Sequence, residues 1–385
     1  MKDKRSGLRR LKGKVVLVLG LLAALGLLAA ACGGDDDDDT AAQTDATTTE
    51  ADTGAEDRPA TTLDVLLPFQ DSIVWAGYET ARGPGGIYEE TYNLTTETSA
   101  TEGSGQIQQL VGGKRDFAVV TTPELIIANA RGEELIGIAS LFSDVFTIAA
   151  TPESGVTSLE DLDGEALGVT DLGGGEIPLV RAALDSVGLS IDSDVELKVI
   201  GAGGAAAAKA IENGDVAAYA GAINDFVPLE DAGITFDPIV GDDFTSLPTN
   251  HMAVVPELLD DAEAFQAVKD LQKGWFEGNI YGEQFPDDAL ARICVLVPAD
   301  CQDPVFAKAF YDSAQAIAID EAKAGGCPEY DKLETVRDAI AGVEAPEAVD
   351  VDLMKVFPDT FCQEFVPDQA VVDAQAERTA AGGAE

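Results

Sequence analysis

Apolar residues along the chain alternate between strand-like runs and helix-like spacing, and the order repeats. Leu63-Asp-Val-Leu-Leu-Pro68 predicts a first strand. A helical segment near Ser72–Arg82 follows and ends at Gly83-Pro84-Gly85-Gly86. Thr91–Thr98 alternates and predicts a second strand. Ile107, Leu110 and Val111 fall at i, i+3, i+4 and predict a helix over Gly103–Val111. Asp116-Phe-Ala-Val-Val120 reads as a short buried strand and Pro123–Arg131 as a helix. The apolar, β-branched stretch Leu135–Ala150 is long enough for two strands. The pattern then restarts: strand Leu167–Thr170, helix Ile177–Val187, strand Val195–Ile200, helix Gly203–Asn213, strand Val216–Gly221. His251–Pro256 reads as a further strand. Beyond Asp260 the patterns are helical, as in Ala264–Trp275 and Pro304–Ala324.

This order predicts an α/β fold of two lobes, each with a mostly parallel sheet and helices on both sides. Lobe one is discontinuous, residues 61–152 plus 250–370, with the helical C-terminal region packed on it. Lobe two is residues 153–249. The crossings fall near Ala150–Glu153 and Thr249–Ala253. Residues 371–385 are small and polar and predict a frayed tail. A length of 385 residues accommodates two domains.

The N-terminus reads as an address. Seven basic residues lie within Met1–Lys14, and Val15–Ala31 is a 17-residue apolar run ending in small residues. That is the layout of a secretory signal, residues 1–31. At the lower limit for a bilayer span, an uncleaved anchor is the alternative. Leu28-Ala29-Ala30-Ala31-Cys32 resembles the bacterial lipoprotein box, with Ala29 where leucine is usual. The resemblance implies lipidation at Cys32 and attachment to the membrane. Residues 33–57 hold ten acids and no base, including Asp35–Asp39. Segment 32–60 therefore reads as a disordered, self-repelling tether. A metal-binding acidic tail is the rival, rarer reading.

Charge narrows the function classes. There are 70 acidic and 24 basic residues, a net charge of −46. Cleavage after Ala31 would leave 17 bases against 69 acids, a net −52. Such a surface excludes nucleic-acid binding, which requires a basic face. With one histidine, His251, neither a Ser/His/Asp triad nor a His-rich metal centre is expected. No cofactor and no metal is predicted. Beyond Cys32 there are four cysteines, Cys294, Cys301, Cys327 and Cys362, an even number that fits two disulfides in an exported chain. The shortest loops are closed by Cys294–Cys301 and Cys327–Cys362. A zinc site is the alternative, but the spacings do not form paired C-x-x-C knuckles.

Three segments together resemble a known family. Val156-Thr-Ser-Leu-Glu-Asp-Leu-Asp-Gly-Glu-Ala-Leu-Gly-Val-Thr170 resembles the motif that opens the second lobe of type II solute-binding proteins of ABC importers, with Glu165 in place of the usual lysine. Ala76-Gly77-Tyr78 followed by Gly86-Ile87-Tyr88-Glu89-Glu90 resembles a block of the nitrate/sulfonate/taurine and thiamine-pyrimidine-precursor branch. Gln108–Ala118 resembles another block of that branch. The last 130 residues carry little family signal. The resemblance implies a monomeric, membrane-anchored, extracytoplasmic protein whose lobes close on a small organic solute. The closed form would dock on an ABC permease with its ATPase.

Ligand-binding candidates lie where strands end and helices begin. Gln70, Asp71, Ser72 and Trp75 follow the first strand. Trp75 fits helix core as well as a ligand platform. Ser104 and Gly105 open one helix, and Gly173, Gly174 and Gly175 precede another, so their backbone N–H groups could receive an acceptor. Ordinary capping and turns explain such glycines equally. Thr121 and Thr122 follow the third strand, and Asn224 and Asp225 follow the strand ending at Gly221. Asn250 and His251 sit at the return crossing, where His251 could serve ligand or hinge. These loops contain no Lys or Arg, which disfavours a doubly charged anion. Asp71, Glu176 and Asp225 would instead suit an amine or a nitrogen heterocycle. A surface receptor uncoupled from import is the first rival. An exported enzyme is the second, disfavoured because no G-x-S-x-G elbow accompanies the histidine.

Overall fold

The computed structural model describes residues 58–101, 105–115, 117–143, 145–172, 174–191, 193–241 and 247–382. The expected signal segment, Cys32 and the tether up to Asp57 lie outside these, as do Ser104 and Gly173.

The first half runs β1 (Thr61–Leu67), α1 (Ala76–Arg82), α2 (Ile87–Tyr92), β2 (Leu94–Ala100), α3 (Gly105–Val111), β3 (Phe117–Thr121), α4 (Thr122–Ala130), β4 (Ile136–Ser143) and β5 (Phe146–Ala150). It continues with β6 (Ala166–Val169), α5 (Ile177–Ser186), β7 (Glu196–Val199), α6 (Ala205–Glu212), β8 (Ala218–Ala222), α7 (Ile223–Asp231), β9 (Asp237–Pro238) and β10 (Pro248–Val254). Helices complete it: α8 (Pro256–Leu259), α9 (Ala262–Gln284), α10 (Pro286–Leu296), α11 (Pro304–Ala324), α12 (Tyr330–Val343), α13 (Leu353–Val356), α14 (Thr360–Glu364) and α15 (Gln369–Gly382).

Two five-stranded sheets share one plan. The first has the order β2-β1-β3-β10-β4 and the second β7-β6-β8-β5-β9. In each, the first three strands are parallel and the fourth runs antiparallel to its neighbours. The fourth strand is exchanged: β5 leaves the first half to enter the second sheet, and β10 returns to enter the first. Both β3 and β10 are buried along their whole length, as central strands covered on two faces require.

Three expectations need correction. The first crossing lies between Ser143 and Phe146, not near Ala150–Glu153, because β5 pairs in register with β8 from Phe146–Ala222 to Ala150–Ala218. The long apolar stretch divides between the sheets after Ser143, where β4 ends. The return strand likewise runs Pro248–Val254 rather than His251–Pro256. The expected tail 371–385 is instead part of α15 as far as Gly382: Val371, Val372 and Gln375 are buried, and Gln375 Nε2 donates to Gly85 O at 3.2 Å. Thr379 Oγ1 adds hydrogen bonds with Tyr281 OH at 3.1 Å and from Arg292 Nη2 at 2.8 Å, so valines and polar contacts together hold this helix.

The C-terminal helices pack on the first sheet, but not on it alone. Val227 of α7 belongs to the core that holds Trp75, Phe142 and Trp275. Leu179 of α5 shares a core with Leu333, Val336 and Ile340 of α12. On α9, Gly274, Gly278 and Gly282 form a ridge at every fourth residue. A Cβ on Gly278 would lie 2.1 Å from Gly77 O, so α1 and α9 meet backbone against backbone. Disulfides join Cys294 to Cys301 and Cys327 to Cys362, with Cα separations of 5.6 and 4.9 Å. Among the described residues no helix is long and apolar enough to cross a membrane.

Candidate functional site

The loops at the C-terminal ends of the parallel strands carry most of the expected site residues. On the first lobe, β3 runs directly into α4. Thr121 caps that helix: its Oγ1 accepts from Glu124 N at 3.3 Å while Thr121 N donates to Glu124 Oε2 at 3.3 Å. The second lobe meets this point through Gly175. A Cβ there would stand 2.7 Å from Thr121 Cγ2 and 3.3 Å from the Phe146 ring, so glycine permits the approach. Gly174 lies under the Glu176 carboxylate.

Two acids of the second lobe are buried at the ends of its strands. Glu176 Oε1 accepts from Thr170 Oγ1 at 2.5 Å and from Thr170 N at 3.2 Å, and burial pushes its pKa up. Asp225 Oδ2 accepts from Ala222 N at 2.8 Å, closing the first turn of α7, and Asn224 Nδ2 donates to Asp225 Oδ1 at 3.3 Å. Burial, with the nearby Glu176 charge, raises the Asp225 carboxyl to about 7 against its backbone hydrogen bond. Gly203, ahead of α6, packs on Asp225 O.

On the first lobe the loop after β1 is pinned from two sides. Asp71 Oδ2 pairs with Arg82 Nη2 at 2.5 Å, and Arg82 Nε pairs with Glu79 Oε2 at 2.6 Å. Asp71 is therefore already matched to a cation from α1, which the loop sequences alone do not reveal. Ser72 Oγ and Ile73 N both donate to Asp300 Oδ2, at 2.8 and 3.0 Å.

Several candidates have structural duties. Trp75 is 2% exposed, its ring 4.8 Å from Phe69 and 6.2 Å from Trp275, and its Nε1 donates to Gln70 O at 3.4 Å. It is core, not cleft wall. His251 is buried, its Nδ1 bonded to Thr122 Oγ1 at 3.0 Å and its ring 4.6 Å from Phe357. Burial holds its pKa down at about 3, so it is neutral. Thr122 is equally buried, and Asn250 sits in the ladder opposite Thr121. Gly105 opens α3.

The structure adds residues that the sequence pattern does not single out. Thr98, Ser99 and Ala100 at the end of β2, with Leu296–Asp300, enclose a cavity of about 360 Å³ together with Gln70 and Asp71. A second cavity of about 600 Å³, lined by Phe69, Gln70, Asp71, Ser72, Ala100 and Thr101, adjoins it. The Cys294–Cys301 pairing was the available signal that the chain turns tightly over 297–300. Nothing local says which strand end that loop covers. Among the described residues no group of three or more His, Cys, Asp or Glu side chains is placed to hold a metal.

Paired sheets of one order, exchanged fourth strands and helix starts converging on the gap between lobes define the two-lobed periplasmic-binding-protein-like type II fold. Residues 93–277 match the family model described as NMT1/THI5 like, the branch that the sequence motifs resemble. Among curated proteins none matches the chain. Solved structures of the same fold include a protein from Bordetella bronchiseptica RB50, 18% identical, with a TM-score of 0.62 over 79% of this chain and 96% of that one. The alkanesulfonate-binding protein SsuA from Xanthomonas axonopodis pv. citri, bound to MOPS, is 14% identical, with a TM-score of 0.55 over 83% and 98%. The ligand binding component of an ABC-type import system from Staphylococcus aureus, with zinc bound, is 10% identical, with a TM-score of 0.58 over 80% and 100%.

Proposed function

We propose that this chain is the extracytoplasmic solute-binding component of an ABC importer, lipid-anchored at Cys32 and not an enzyme. It captures a small organic solute between its lobes by hinge closure and hands it to a permease with its ATPase. The observation that carries this reading is the convergence of strand ends from both lobes at one junction, where Gly175 rests on Thr121. The strand exchange takes the chain from one sheet to the other between β4 and β5 and back between β9 and β10, and the lobes can pivot where it crosses. Neighbours named as import binding proteins support the reading.

The role is tested by a thermal-shift screen of the full chain against sulfonates, nitrate, pyrimidines, flavins, amines and polyamines. A ligand that binds only the folded state raises the melting temperature, by about 2.7 kcal/mol of stability at 100 times Kd. A shift from one chemical class without turnover supports capture; a blank screen on folded protein overturns it. Cys32→Ser should move the protein from the membrane fraction to the soluble fraction in its host. Retention at the membrane would overturn the lipid anchor alone.

A further inference from the structure

Where the lobes meet, a methyl group on one side and a backbone atom on the other are each held in place. Thr121 ends β3, and its hydroxyl is committed twice: Oγ1 accepts from Glu124 N at 3.3 Å and donates to Glu124 Oε2 at 2.8 Å. On a β-branched residue, fixing Oγ1 also fixes Cγ2, because one torsion turns both. The Thr121 methyl is therefore aimed, and it cannot swing away without breaking the cap of α4. It is aimed at the second lobe, where a Cβ on Gly175 would stand 2.7 Å from it. Gly175 is placed as firmly. Gly174 N donates to Asp171 O at 3.1 Å and Ile177 N to Gly174 O at 3.2 Å, while the Glu176 carboxylate, held by Thr170, covers Gly174. Phe146, at the start of the exchanged strand β5, closes the other side at 3.3 Å from the same added Cβ. Gly175 has no positive φ, so the contact rather than the backbone calls for glycine here.

We infer that the Thr121 methyl and the bare Cα of Gly175 form the stop that sets how closely the two lobes approach, and so how thick a solute the closed cleft can hold. The role in choosing solutes rests on the solute-capture reading above; the stop itself is measured without a solute. Both partners are positioning residues: the methyl acts through the lobe spacing, and its hydroxyl is spent on keeping that methyl aimed.

The test is a pulsed electron-resonance distance between nitroxides at Glu133→Cys and Glu153→Cys, exposed positions on the first and second lobes, in the ligand-free full chain carrying Cys32→Ser. A methyl carbon at 2.7 Å must retreat by about 1 Å to reach ordinary carbon contact, so Gly175→Ala should shift the mean distance by about 1 Å or more. Gly175→Val should shift it further in the same sense. Adding Thr121→Ser to Gly175→Ala should restore the parent distance, since serine keeps the cap and lacks the methyl. Adding Thr121→Val should not, since valine keeps a methyl there and loses the cap. Thr121→Ser alone should shift the distance the other way, and it reads the stop even where the alanine variant does not fold. The inference is overturned by an unmoved distance in folded Gly175→Ala, by equal rescue from serine and valine, or by a lowered melting temperature with the distance unchanged, which would make Gly175 a packing residue only. Each of these leaves solute capture standing. A blank thermal-shift screen would remove capture, and the solute-size role with it, while a shifted distance would still establish the stop.

Discussion

Glu277 is fully buried on α9, where its carboxylate accepts Tyr92 OH at 2.9 and 2.7 Å and Asp368 N at 2.9 Å. Burial pushes it up to about 7, and these hydrogen bonds with Lys273 only partly offset that. Glu79 and Asp225 are raised to about 7 as well, each mainly by burial. A carboxyl raised by folding binds its proton more tightly when folded. Its stabilising contribution is complete below the unfolded pKa near 4 and is lost as pH rises through 7, at up to about 1.4 kcal/mol per pH unit for each group. His251 runs the other way: held down at about 3, it favours the folded state above its ordinary 6.5 and costs stability as pH falls below that. Three carboxyls outweigh one imidazole, so the melting temperature should fall between pH 5.5 and pH 8. Glu277→Gln should make that fall shallower; an unchanged slope would mean that Glu277 does not titrate in this range. At this scale the sequence places Gln70, Asp71, Ser72, Thr121 and Asp225 correctly at strand ends. It cannot supply their partners, because Arg82 and Asp300 lie 11 and 228 residues from the groups they hold, and local pattern carries no such pairing.

Among the elements, α9 shows how packing overrides propensity. The periodic segment Ala264–Trp275 predicts part of this helix, but it runs on to Gln284 through Gly274, Gly278 and Gly282. Each glycine weakens a helix by about 1 kcal/mol relative to alanine. Here the ridge admits Gly77 of α1 and the Tyr88 ring, and that close approach outweighs the cost. Gly278→Ala should therefore destabilise by about 1–3 kcal/mol in denaturant titration, although alanine is the better helix former. A stabilised variant would show that α1 yields easily. The same reasoning applies to the Cys294–Cys301 loop, which carries Asp300 to the loop after β1. Replacing both cysteines by serine should cost about 2 kcal/mol through the freed unfolded chain. It should also weaken solute binding, because Asp300 would no longer be held against Ser72. Lost stability with unchanged affinity would make the disulfide a staple only.

Across the whole of residues 58–382, the alternation of strands and helices makes both sheets legible in the sequence, but not the cores that join them. An apolar residue on α5 or α7 looks alike whether it packs on its own lobe or on the other. Leu179 and Val227 do the second: they enter cores built by α12 and by the α1–α9–α11 region. In the proposed hinge motion, opening the cleft would return these two buried apolar side chains to water. Truncating a buried valine or leucine to alanine removes roughly 1–2 kcal/mol of burial by transfer alone. That is about a tenfold shift in a two-state balance of open and closed forms. Leu179→Ala with Val227→Ala should then raise the radius of gyration of the ligand-free protein in solution scattering. The variant should bind solute more weakly, and saturating solute should restore the parent's radius, since ligand contacts then supply what the alanines removed. A radius unchanged by the double substitution would mean that the two crossing strands, rather than the helices, set the closed form.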